Sequence, residues 1–76
     1  RKFTKDLAFG SLDYREVLNL QNALKIKGFF DFKSTGYYGP ITYLAVKTFQ
    51  KAYKIDPIGR CGPITRAKLN EIFDLN

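Results

Sequence analysis

Apolar residues recur at helical spacing in three separate stretches of the chain. Between about Tyr14 and Lys27, the residues Val17, Leu20 and Leu24 fall on one face, and Gly28 stands where such a helix would stop. Between about Pro40 and Tyr53 the stripe is Ala45, Val46, Phe49 and Tyr53. Between about Pro63 and Phe73 it is Leu69 and Ile72. Strand signals are sparse. Phe29-Phe30-Asp31-Phe32 has the composition of an extended segment, but no second segment is available to pair with it. The pattern predicts an all-α fold, a compact three-helix bundle joined by glycine-rich turns.

The segments between the helices repeat. Gly36-Tyr37-Tyr38-Gly39-Pro40-Ile41-Thr42 matches Gly59-Arg60-Cys61-Gly62-Pro63-Ile64-Thr65 at five of seven positions. Leu20-Gln21-Asn22-Ala23-Leu24-Lys25-Ile26 is echoed by Phe49-Gln50-Lys51-Ala52-Tyr53-Lys54-Ile55. The unit is a helix, a loop, and a glycine turn that launches the next helix. Gly36 and Gly59 suit the positive φ of a tight loop. Gly39 and Gly62 stand at helix N-caps, and Pro40 and Pro63 at the first helical position, where a missing N–H costs nothing. Thr42 and Thr65 lie within reach of the unpaired backbone groups of the first turn. A weaker third copy, Gly10-Ser11-Leu12-Asp13, opens the first helix, with Asp13 and Glu16 spaced as a capping box.

These residues resemble the bacterial peptidoglycan-binding domain family in its three-helix form. The resemblance runs through Gly10, Val17, Leu20-Gln21, Leu24, Gly28-Phe29, Gly36, Tyr38-Gly39 and Thr42. It continues through Ala45-Val46, Phe49-Gln50, Ile55, Gly59, Cys61-Gly62-Pro63, Thr65 and Leu69, in order. Leu12-Asp13 replaces a second glycine, and the Asp56-Pro57-Ile58 loop is atypical. The resemblance implies a non-catalytic module that anchors an associated hydrolase or peptidase to the bacterial cell wall. Its partner would be peptidoglycan, stem peptide together with glycan, in an extracellular or wall-associated setting. A protein-interaction or inhibitory prosegment domain on the same scaffold is the alternative.

Composition narrows the function further. Seventy-six residues hold one domain, since half that length would lack a core; the core is expected from about residue 9 to residue 73. A first residue other than methionine fits a piece excised from a larger protein. No apolar run is long enough to span a bilayer, so membrane insertion is not expected. The net charge of +6 favours anionic partners, and anionic wall polymers are candidates beside peptidoglycan itself. Nucleic acid is disfavoured: a helix-turn-helix needs a turn of about three or four residues, and the segment from Gly28 to Gly39 is much longer. Lys47, Lys51 and Lys54 therefore suit a solvated face of the second helix. The isolated domain is expected to be monomeric and to need no cofactor.

Catalysis lacks parts. Without histidine, and with a single cysteine, no usual zinc site can be assembled, and Cys61 has no customary base to activate it. Cys61 takes the place of Tyr38 in the repeat, so both are expected to point inward as core residues. It also precedes the third helix, unlike the cysteine of metalloproteinase propeptides, which it otherwise resembles through Arg60-Cys61-Gly62. Gln21 and Gln50, on the inner shoulders of their helices, are expected to satisfy loop backbone groups rather than ligand. The ligand-binding candidates are Tyr37, Tyr43, Arg60 and Arg66, at outward positions around the paired glycine turns. Aromatic faces there would stack on sugar rings, and arginines would clamp carboxylates.

Overall fold

In the computed structural model, which describes residues 2–75, the three apolar stripes form α1 (Tyr14–Ile26), α2 (Pro40–Ala52) and α3 (Pro63–Ile72). Their starts follow the turn chemistry. Asp13 caps α1 and accepts the Glu16 N–H through Oδ1 at 3.4 Å, while Gly39 and Gly62 cap α2 and α3 with proline next in line. Each helix ends one residue earlier than the periodicity predicts, because Lys27, Tyr53 and Phe73 serve as C-caps.

The three endings share one geometry. The residue after each cap is left-handed: Gly28 (φ 85), Lys54 (φ 60) and Asp74 (φ 54). The residue after that returns its N–H to the last helical turn, Phe29 to Leu24, Ile55 to Gln50 and Leu75 to Asn70, at 2.7–2.8 Å. Lys54 thus lies outside α2, and Lys47, Lys51 and Lys54 do not form one helical row. Phe29–Phe32 forms no strand.

Val17, Leu20, Val46, Phe49 and Leu69 are fully shielded from solvent, as are Tyr38 and Cys61 from the two turns. Burying a side chain of this size contributes about 1.5–3 kcal/mol. Phe29 packs edge-on against Phe49 with ring centroids 5.5 Å apart. The core also reaches ahead of residue 9, because Phe3 and Leu7 are buried. Leu7 and Cys61 exchange both backbone hydrogen bonds, at 2.7 and 3.0 Å, and the Gly10 N–H donates to Tyr38 O at 2.8 Å. Asn70 binds both backbone groups of Phe3: Oδ1 accepts its N–H at 2.7 Å and Nδ2 donates to its carbonyl at 3.0 Å. The N-terminal segment therefore straps both glycine turns and α3 together.

Among the described residues no helix is long and apolar enough to cross a membrane.

Candidate functional site

Two buried glutamines build the two turns. Gln21 accepts the N–H groups of Thr35 (2.9 Å) and Gly36 (2.8 Å) through Oε1, and donates through Nε2 to Tyr37 O and Thr42 Oγ1, both at 2.9 Å. Gln50 repeats the arrangement. It accepts the Gly59 N–H at 2.9 Å and donates to Arg60 O (2.8 Å) and Thr65 Oγ1 (3.0 Å). Both glutamines are about 1% exposed, and their carboxamides are spent on loop backbone and on the threonine of the turn. The threonines accept from these glutamines rather than capping the first turn of their helices.

The glycines are required where they stand. Gly36 and Gly59 have φ of 83° and 81°, and a Cβ on either would lie 2.3 Å from a tyrosine ring atom. The ring is Tyr14 over Gly36 and Tyr43 over Gly59, each at the same spacing ahead of its glutamine. The Tyr38 hydroxyl crosses to the second turn and donates to Gly59 O at 2.5 Å. Burial raises the Tyr38 phenol well above its usual range and pushes the Cys61 thiol up to about 12. A neutral, enclosed thiol is neither a nucleophile nor a ligand.

Outside each turn lies an open groove. The first, about 330 Å³, is floored by Gln21 and Thr42, walled by Pro40 and Ile41, and rimmed by Tyr37 and Phe32. The second, about 340 Å³, has the equivalent floor of Gln50 and Thr65 and the equivalent wall of Pro63 and Ile64. Ile41 and Ile64 are 47% and 71% exposed, an unusual use of isoleucine at the same place in both repeats.

The four outward candidates do not converge on one site. Tyr37, 61% exposed, stands on the first groove, and Arg60 stands on the second. Arg66 faces a shallow depression beside Phe3 and Asn70. Tyr43 is half-buried: its ring covers Gly59, meets Phe9 edge-on at 6.2 Å, and carries Lys47 Nζ at 5.4 Å from its centroid. Arg60 and Arg66 are brought together by Asp6, whose carboxylate meets Arg60 at 3.1 Å and Arg66 at 2.8 Å. The pairing with Asp6 was hidden in the sequence by its distance along the chain. The exposed isoleucines left a trace, since Pro-Ile is identical in both turns although core packing does not demand the isoleucine. Among the described residues no group of histidine, cysteine, aspartate or glutamate could hold a metal ion.

The Spore cortex-lytic enzyme of Halalkalibacterium halodurans is 34% identical over 61 residues, which is 80% of this chain but 18% of that enzyme. This chain therefore spans less than a fifth of the length of the relative it matches. A solved structure described as the crystal structure of the SleB N-terminal domain superposes with a TM-score of 0.86 at 28% identity, over 95% of this chain and 97% of that one. Residues 13–69, from the cap of α1 to the last buried leucine of α3, match the family described as "Putative peptidoglycan binding domain". The chain belongs to the peptidoglycan-binding domain family.

Proposed function

We propose that this domain anchors an attached cell-wall hydrolase to its polymer by holding peptidoglycan, stem peptide with adjoining sugar, against the groove beside the first glycine turn. The observation that carries the reading is the makeup of that groove. Its floor is a closed hydrogen-bond network that holds its shape, and its rim exposes Tyr37 and Phe32 for a sugar face to stack on. The similarity to a spore cortex-lytic enzyme over a minor part of that enzyme's length supports a module carried beside a catalytic domain. It also makes the spore cortex, or the wall outside the cell, the natural place of work. A weak tether of this kind keeps an enzyme close to many equivalent bonds by raising their effective concentration. The net charge of +6 supports attraction to anionic wall polymers as well.

The inhibitory-prosegment alternative would need Cys61 to reach a metal in another domain. Cys61 is fully enclosed and precedes α3, so nothing here favours that role.

Co-sedimentation with purified, insoluble peptidoglycan tests the proposal. The wild-type domain should pellet with the polymer. Tyr37→Ala should weaken binding several-fold without moving the melting temperature, since its ring is exposed. A wild-type domain that stays in the supernatant at low salt would overturn it.

A further inference from the structure

The second groove copies the scaffold of the first but not its lining. Gln50 stands for Gln21, Thr65 for Thr42, and Pro63-Ile64 for Pro40-Ile41. At the rim, Arg60 replaces Tyr37 and Ile58 replaces Thr35. The loops that complete the two walls differ as well. Phe30, Phe32 and Lys33 close the first groove, whereas Lys54, Ile55 and Asp56 close the second. The first groove is therefore lined by three aromatic rings with a single charge. The second has no aromatic ring, two cations against one anion, and isoleucine side chains on its walls.

We propose that the second groove is a separate ligand site that takes a carboxylate-bearing peptide, while the first takes the glycan. This rests on the domain binding peptidoglycan, and it moves the stem peptide from the first groove, where the proposed function holds it with its sugar, to the second. Aromatic rings offer flat apolar faces to the axial C–H groups of a sugar ring. Arg60 offers a planar fork that matches a carboxylate. It is 57% exposed on its side chain and gives Asp6 one hydrogen bond through a single terminal nitrogen, which leaves most of its five donors for a ligand. Lys54, which follows the C-cap of α2 with a left-handed backbone, adds a second positive charge to the lining of the same groove. Ile58 and Ile64 are more than half exposed and suit the methyl groups of alanine-containing peptides. Occupying both grooves on one polymer makes the domain bivalent, so modest affinity at each site yields stronger retention on the wall.

Nitrogen-15 chemical-shift titrations of the whole 76-residue chain separate the two sites. One probe is the free stem tetrapeptide, and the other is the N-acetylglucosamine tetramer, which has no carboxylate. The tetrapeptide should shift amides from Ile58 to Thr65, and Arg60→Ala should weaken it about tenfold or more, as expected for losing a charge-assisted pair. Arg60→Lys should recover only part of that affinity. The sugar should shift amides from Thr35 to Ile41 and respond to Tyr37→Ala but not to Arg60→Ala. Both residues are exposed, and preserved shift dispersion reports that the variants fold. If the peptide perturbs only the first turn, or ignores Arg60→Ala, the second site is refuted and the single-groove reading stands. If neither probe nor insoluble peptidoglycan binds, both readings fall together.

Discussion

The Tyr38 hydroxyl donates its hydrogen bond to the carbonyl of Gly59, so the first glycine turn is tied to the second through the middle of the core. Tyr38 is fully enclosed, and among the described residues its hydroxyl is the partner that Gly59 O has. Tyr38→Phe keeps the ring and removes the bond, which strands a buried acceptor at a cost of about 1–3 kcal/mol. In a domain of this size each kcal/mol lowers the melting temperature by roughly 4–8 °C. Thermal unfolding followed by circular dichroism should show that drop. An unchanged midpoint would mean that the turns are held independently.

The glutamines make a sharper case. Gln50→Leu leaves the Gly59 N–H and the Thr65 hydroxyl without their partner, and the loss should be at least about 2 kcal/mol. Gln21→Leu should cost as much or more, since Gln21 holds two loop N–H groups rather than one. Should either variant melt like the wild type and yet fail to bind peptidoglycan, the glutamine would be a ligand contact and its structural role would be refuted.

How far the sequence carries a reader is visible in these same residues. The glutamines and the glycine–proline helix starts were legible because each is repeated, and a repeat shows which identities the backbone demands; Tyr38 and Cys61 were legible because they share one position of that repeat. The ends of the helices were less so: a left-handed Lys54 or Asp74 gives no glycine to read, and only Gly28 announced itself. The binding candidates were the least legible. Outward position on a helix is local information, whereas Tyr43 is occupied by Gly59 and Phe9, and the arginines by Asp6, through contacts distant in sequence. Phe3 and Leu7 escaped for the same reason, because a strap with no periodicity looks like a tail until its partners are seen.

Two glycines of the second turn should respond very differently to the same substitution. Gly59→Ala places a Cβ at φ 81° and 2.3 Å from the Tyr43 ring, so it combines about 1–2 kcal/mol of backbone strain with displacement of that ring. Gly62 has φ −94° and open space where a Cβ would go, so Gly62→Ala should stay within about 1 kcal/mol of wild type. Urea denaturation of the pair checks the contrast, and equal losses would contradict the assigned turn geometry.

Cys61 supplies a probe of opening. With its pKa pushed up to about 12 by burial, against an ordinary value of 9.0, the thiol is protonated and shielded throughout the neutral range. Alkylation by iodoacetamide at pH 8 should therefore be negligible in the native state and accelerate with urea in step with global unfolding. The folded pKa lies above the unfolded one. The associated stability is thus fully present below pH 9 and is lost as the pH rises toward 12. Rapid labelling without denaturant would show that the Leu7–Cys61 strap detaches on its own.

Asp6 offers a way to turn the surface charge up without disturbing the core. Its carboxylate is partly exposed and bridges Arg60 and Arg66, an arrangement worth at most about 1 kcal/mol per pair at the surface. Asp6→Asn removes that charge, raises the net charge from +6 to +7, and frees both guanidinium groups. Stability should fall only slightly, because Leu7 and Phe3 still hold the strap in place. Affinity for the stem tetrapeptide should rise several-fold at low salt and return toward the wild-type value at high salt, since exposed charges are screened within a Debye length of about 10 Å at 0.1 M. If Asp6→Asn weakens peptide binding instead, Asp6 is holding Arg60 in its competent orientation, and the carboxylate is a positioning partner rather than a competitor.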